Sequence, residues 1–227
     1  MCRLSVLVAV ALLTPTVAAQ EHDHPVLPVQ KLGTVRFATS CSAAAQPSFI
    51  RGVALLHSFA FSEAIDAVND AVKTDSGCAL AYWGLSLCAW GNPFAAGNKP
   101  DAQLQQGLDA IERAKAIGAK TEREREYILA ASRLFENFRT ADQRSRLLAY
   151  REGMARLAGR YPDDSEASIF YALALAFSAD PADKTYADQL KAGSILERLA
   201  PRQPDHPGLA HYITHAYDSA MAAARKA

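Results

Sequence analysis

The stretch Cys78-Ala79-Leu80-Ala81-Tyr82-Trp83-Gly84-Leu85-Ser86-Leu87-Cys88-Ala89-Trp90 decides the fold. It is apolar almost throughout, holds no proline, and sets small residues (Ala81, Gly84) among large ones at helical spacing. That pattern reads as a helix packed closely by its neighbours, because small residues let paired helices approach and large ones fill between them. Trp90-Gly91-Asn92-Pro93-Phe94 then breaks the helix. Outward in both directions the 3.6-residue period continues, and no stretch sustains a strand alternation. Further helices are expected at 47–58, 62–74, 101–117, 122–138, 141–160, 165–177, 183–199, 207–217 and from 219 onward. Thr121 with Glu124 reads as a capping box, Ser62 and Asp101 as N-caps, and Gly118 and Gly159 as places where the chain leaves a helix. The fold class is all-α.

Short helices joined by few residues prompt a search for an internal repeat, and a period near 34 is present. One unit carries Gly52, Ala64, Val68 and Ala71; the next opens at Ala81-Tyr82-Trp83-Gly84-Leu85 and continues with Gly107, Ile111 and Ala114. Tyr150, Met154, Leu157 and Pro162 hold equivalent places later, as do Ala192, Leu196, Leu199 and Pro204. These residues resemble the tetratricopeptide-repeat (TPR) family, in degenerate form. The resemblance implies an α-solenoid of about five helix hairpins in a right-handed superhelix over 47–227, preceded by a strap over 20–46. The strings Arg51-Gly52-Val53-Ala54-Leu55-Leu56-His57-Ser58-Phe59 and His211-Tyr212-Ile213-Thr214-His215-Ala216-Tyr217-Asp218 are similar to exported bacterial TPR proteins of undefined activity. The chain stops at Lys226-Ala227 inside an uncapped helical pattern and reads as a fragment.

Among the 227 residues, 24 Lys plus Arg face 24 Asp plus Glu, and half of the residues are hydrophobic. This balance excludes a disordered acidic chain and a polybasic nucleic-acid arm. Arg3, the apolar run Leu4 to Leu13 and the small residues before Gln20 make residues 1–19 a signal peptide, cleaved after Ala19. A periplasmic or secreted location follows, with no integral membrane segment once that peptide is gone. Export also lets cysteines pair. Cys41 and Cys78 lie in loop-like stretches and Cys88 within the apolar helix, so the expected disulfide is Cys41–Cys78, with Cys88 a small core residue.

The family's inner-facing sites, carried onto this sequence, place His57, Trp83, Leu87, Trp90 and Phe177 along an apolar concave groove, with His211 and His215 at two further inner-facing sites. The leading functional expectation is therefore an exported scaffold that binds a peptide or partner protein there. The rival is a metal-binding protein or metal-dependent enzyme. His211 and His215 are four apart on a predicted helix, so both imidazoles leave one face within reach of a common ion. No cofactor is fixed by the sequence; zinc or copper would suit such a pair, with His57, His206 or Asp218 as third ligand. Packing and hydrogen bonding between repeats is the other reading of the same histidines. His22-Asp23-His24 offers copper or nickel an adventitious site in an exported tail. The charge run Glu122 to Glu126 reads as a solvated face, and no phosphate loop or nucleophile elbow is present.

Overall fold

A computed structural model describes residues 32–224, and the surroundings of side chains as far as Asp218. The expected signal peptide over 1–19 and its expected cleavage site, the first part of the strap and His22 and His24 lie outside the described residues. Within them the protein is all-helical and contains no strand. In chain order the helices are α1 (Gln46–His57), α2 (Phe61–Thr74), α3 (Ala79–Trp90), α4 (Asp101–Ile117), α5 (Glu122–Ser132), α6 (Gln143–Arg160), α7 (Ser165–Ser178), α8 (Ala187–Leu199) and α9 (Pro207–Ala224). No described helix is long and apolar enough to cross a membrane.

Each helix packs on the next, and the odd-numbered helices also touch one another: α1 with α3, α3 with α5, α7 with α9, and α1 with α9. The odd helices thus form an inner layer and the even ones an outer layer. Composition explains the division. α3 and α7 bury residues on every side, including Trp83, Leu87 and Trp90 in one and Ile169, Phe170, Leu173 and Leu175 in the other. By contrast α2, α4 and α8 bury one narrow stripe, such as Ala64, Val68 and Ala71, as a helix with a wet face must.

Helix ends follow local chemistry. Thr121 Oγ1 accepts from the backbone N–H of Glu124, as expected, but the Glu124 carboxylate turns away to accept from Ser40 N–H and Oγ–H at 2.5 and 2.6 Å. Asp142 and Asp164 cap α6 and α7, whereas the expected caps Ser62 and Asp101 lie inside their helices and Ala60 and Pro100 stand at the boundaries. Gly118 ends α4 with a φ of 81°, a backbone region glycine enters at no steric cost. Gly159 is within α6 rather than at its exit. α5 stops at Ser132 instead of reaching 138: from Arg133 to Phe135 the backbone N–H groups bond three residues back, in tighter turns, and the chain then turns through Asn137 at a φ of 54°. The two C-terminal helices expected at 207–217 and from 219 are one helix, α9.

The strap is bound along the inner layer. Leu32, Val35 and Phe37 are buried while Gly33, Thr34 and Arg36 are exposed, the alternation of an extended segment lying on an apolar surface. Phe37 packs within 5.5 Å, ring centre to ring centre, of Phe49, Trp83 and Tyr127. Polar contacts fix its backbone: Thr34 N–H donates to Asp205 O, Gln46 Nε2–H to Phe37 O, and Arg123 to Ala38 O. Its C-terminal end is tied to α3 by the disulfide Cys41–Cys78, with Cα atoms 4.8 Å apart. Cys88 is free and buried, and burial pushes its thiol up to about 12, so it is an uncharged packing group.

Candidate functional site

The expected open groove is filled. His57 and Trp83 are 0% and 1% exposed, so neither is available to a partner. The reason is the strap: Phe37 covers Trp83, which Phe49, Tyr127 and Phe170 enclose from the other sides. Leu87, Trp90 and Phe177 do share a surface, a narrow apolar cleft that also takes in Phe59, Phe61 and Pro93. The cleft holds about 370 Å³ counted to its open mouth, only a small part of it wide enough for a water molecule. Leu87 and Trp90 form its buried wall and Phe177 is half-buried. The indole N–H of Trp90 is buried and has no hydrogen-bond partner among the protein atoms.

The histidines form two groups. In the first, His57 at the end of α1, Glu166 in the first turn of α7 and His206 just before α9 bring one ligand atom each within 4.8 Å of one another, all buried. Glu166 Oε2 lies 2.9 Å from His57 Nε2, and Oε1 lies 2.8 Å from His206 Nε2. The outer nitrogens are also engaged. His206 Nδ1 accepts from Gly208 N–H at 3.1 Å, so the imidazole caps α9; His57 Nδ1 is 3.0 Å from Tyr212 Oη. Gly208 must be glycine here, since a Cβ would stand 2.8 Å from His57 Nδ1.

These partners assign the protons. A nitrogen that accepts an N–H carries no proton, so His206 holds its proton on Nε2 and donates it to Glu166. Burial works against the Glu166 charge, but His57 and His206 outweigh it and bring the carboxyl down to about 2, leaving it ionised. Burial also lowers His57, against the opposing pull of Glu166, so His57 is neutral at pH 7 and donates from Nε2. Tyr212, raised well above 10 by burial and by the Glu166 charge, keeps its hydroxyl proton and donates it to His57 Nδ1. A histidine that ligates a metal through one nitrogen donates its other N–H outward. His206 cannot do so, because Gly208 N–H already points at that nitrogen. The cluster is a completed hydrogen-bond network rather than a metal centre, and it staples α1, α7 and α9 together.

The second group is His211 and His215, one turn apart on α9 and both half-buried. His211 Nδ1 donates to the backbone carbonyl of His57 at 2.8 Å, one of the carbonyls left over at the end of α1. Its Nε2 therefore presents a lone pair, and His215 Nε2 lies 3.1 Å from it. Phe59 packs edge-on to His211 and Phe94 stacks on His215, with ring centres 4.4 and 4.3 Å apart. Burial and the neighbouring His211 lower His215, which keeps it neutral.

The sequence reading brought out His57, His206, His211 and His215 but divided them differently: His57 was expected to join the α9 pair through its ring, and it meets them through its carbonyl. Glu166 was missed. An acid in the first turn of a helix is ordinary, yet Glu166, Ile169, Phe170 and Leu173 share one helical face, and that register marks a buried carboxylate. Comparison with known protein families, with curated proteins and with solved structures yields no match.

Proposed function

We propose that the protein is an exported TPR-like scaffold that receives an apolar side chain of a peptide or partner protein in the cleft between α3, α7 and α9. The observation that carries this reading is the apolar cleft itself, open at its mouth and lined by Phe59, Phe61, Leu87, Trp90, Pro93 and Phe177. An apolar side chain seated there removes both its own surface and the aromatic lining from water. The strap offers a precedent, for its extended Val35 and Phe37 already occupy the neighbouring inner surface. Stacked hairpins with an inner and an outer layer fit a right-handed solenoid of this kind. The disulfide Cys41–Cys78 fits a periplasmic or secreted protein, since such bonds persist in oxidising compartments.

Screening a peptide array with the tag-free protein tests the reading. Selective binding of peptides with a large apolar residue is expected, weakened at least about tenfold by Phe61→Asp and by Phe177→Asp, each of which sets a charge on the cleft lining. Binding indifferent to both substitutions would overturn it.

A further inference from the structure

We propose that His211 and His215 constitute a two-nitrogen transition-metal site, selective for borderline divalent ions such as Zn2+ and Cu2+, whose remaining coordination positions are open to water or to a ligand. This goes beyond the cleft reading and rests on different atoms. Three features of the pair carry it.

The first is spacing. An ion held about 2.0–2.1 Å from each nitrogen in a tetrahedral shell sets those nitrogens about 3.3 Å apart. The two Nε2 atoms are 3.1 Å apart, so their separation already matches that of a shared ion and binding asks only that the rings turn toward it. The second is the allotment of protons. His211 Nδ1 donates to the His57 carbonyl, the outward bond that fixes a ligating imidazole in the right tautomer. His215 needs only to carry its proton on Nδ1 instead of Nε2, a change between two neutral forms that releases no net proton; the ion then takes the place of the N–H that bridges the rings. The third is rigidity. Phe59 and Phe94 confine both rings from outside while the pair stays half-exposed, so an ion has access and the two nitrogens stay close together. Two imidazole nitrogens, with the Asp218 carboxylate near His215 as the one oxygen donor at hand, select zinc, copper or nickel over calcium and magnesium, which require a shell of oxygens. Phe59 belongs to both this pair and the apolar cleft, so an ion on α9 would sit beside the cleft lining.

The test is calorimetric titration of the tag-free chain with zinc, made in a His22→Ala/His24→Ala background so that the N-terminal His-Asp-His takes no part. Co2+ serves as a second probe, because its visible bands report nitrogen coordination. One saturable equivalent is expected, weakened at least about tenfold by His215→Ala and by His211→Ala. Circular dichroism checks that the variants fold. Should His211→Ala fail to fold for want of a donor to the His57 carbonyl, His211→Asn supplies one and His215→Ala stands as the companion test. Absence of a saturable equivalent, or an equivalent that survives His215→Ala, would overturn the proposal. An equivalent that survives His215→Ala but disappears with His206→Gln would do so by placing the ion in the buried cluster.

Discussion

The two histidine groups lie on either side of one residue and behave as opposites. His57 gives its ring to the cluster with Glu166 and His206 and its carbonyl to His211. By distance alone the buried cluster is the stronger metal candidate, with three donor atoms within 4.8 Å. Proton accounting reverses the order. In the buried cluster every nitrogen has a protein partner, and a backbone N–H blocks the position an ion would need to leave protonated. In the half-buried pair the His211 Nε2 lone pair meets only the Nε2–H of His215, a proton that ring can carry on Nδ1 instead. Proximity of ligating groups is thus a weak sign of a metal; a lone pair that a change of tautomer frees, backed by an outward N–H bond, is a stronger one.

Breaking the buried side of this comparison should have the largest effect. Glu166→Ala leaves two buried N–H donors without an acceptor and should cost about 3–5 kcal/mol in urea unfolding, the range for removing one partner of a buried charged network. The same network gives a pH dependence. His57 and Glu166 both have folded values below their ordinary 6.5 and 4.5. Each therefore contributes stability that is complete above its unfolded value and is lost as pH falls through its folded value. Stability should be level above pH 7, begin to fall below 6.5, and fall further below 4.5 towards about 2; Glu166→Gln should remove the lower limb in an acid titration followed by circular dichroism. A control lies away from both groups. Reducing Cys41–Cys78, 37 residues apart, should lower stability by about 2–4 kcal/mol while leaving zinc binding in place.

Smaller changes sharpen the contrast. Tyr212→Phe removes the donor to His57 Nδ1 and strands a buried acceptor, worth about 1–3 kcal/mol in the same unfolding assay. His215→Ala should change stability by no more than about 0.5 kcal/mol without metal, as a half-exposed position should; in excess zinc it should forfeit the stabilisation that the ion gives the parent protein. A large loss from His215→Ala in the absence of metal would erase the distinction between the groups.

Period and composition made much of this legible. The 3.6-residue pattern located every described helix, and the loop positions of Cys41 and Cys78 against the helical position of Cys88 identified the disulfide. The start of α5 held, although the Glu124 carboxylate serves Ser40 instead of the cap; its end did not, because the chain runs through turns from Arg133 on. The filled groove was not legible for a different reason. Whether Leu32, Val35 and Phe37 lie on the inner layer or trail into solvent depends on contacts with residues far along the chain, such as Tyr127 and Asp205, and no local pattern encodes those. The histidine partition failed in the same way: i, i+4 spacing joined His211 to His215, but the partners of His57 come from helices more than a hundred residues away.

Long-range proton–nitrogen NMR of the imidazole side chains tests the central claim most directly, since it reads which nitrogen of each ring carries a proton. His57 and His206 should appear as Nε2–H tautomers whose signals do not move with zinc, and His211 as the Nδ1–H tautomer, with zinc shifting only His211 and His215. A His206 ring protonated on Nδ1, or zinc-induced shifts in His57 and His206, would contradict the account.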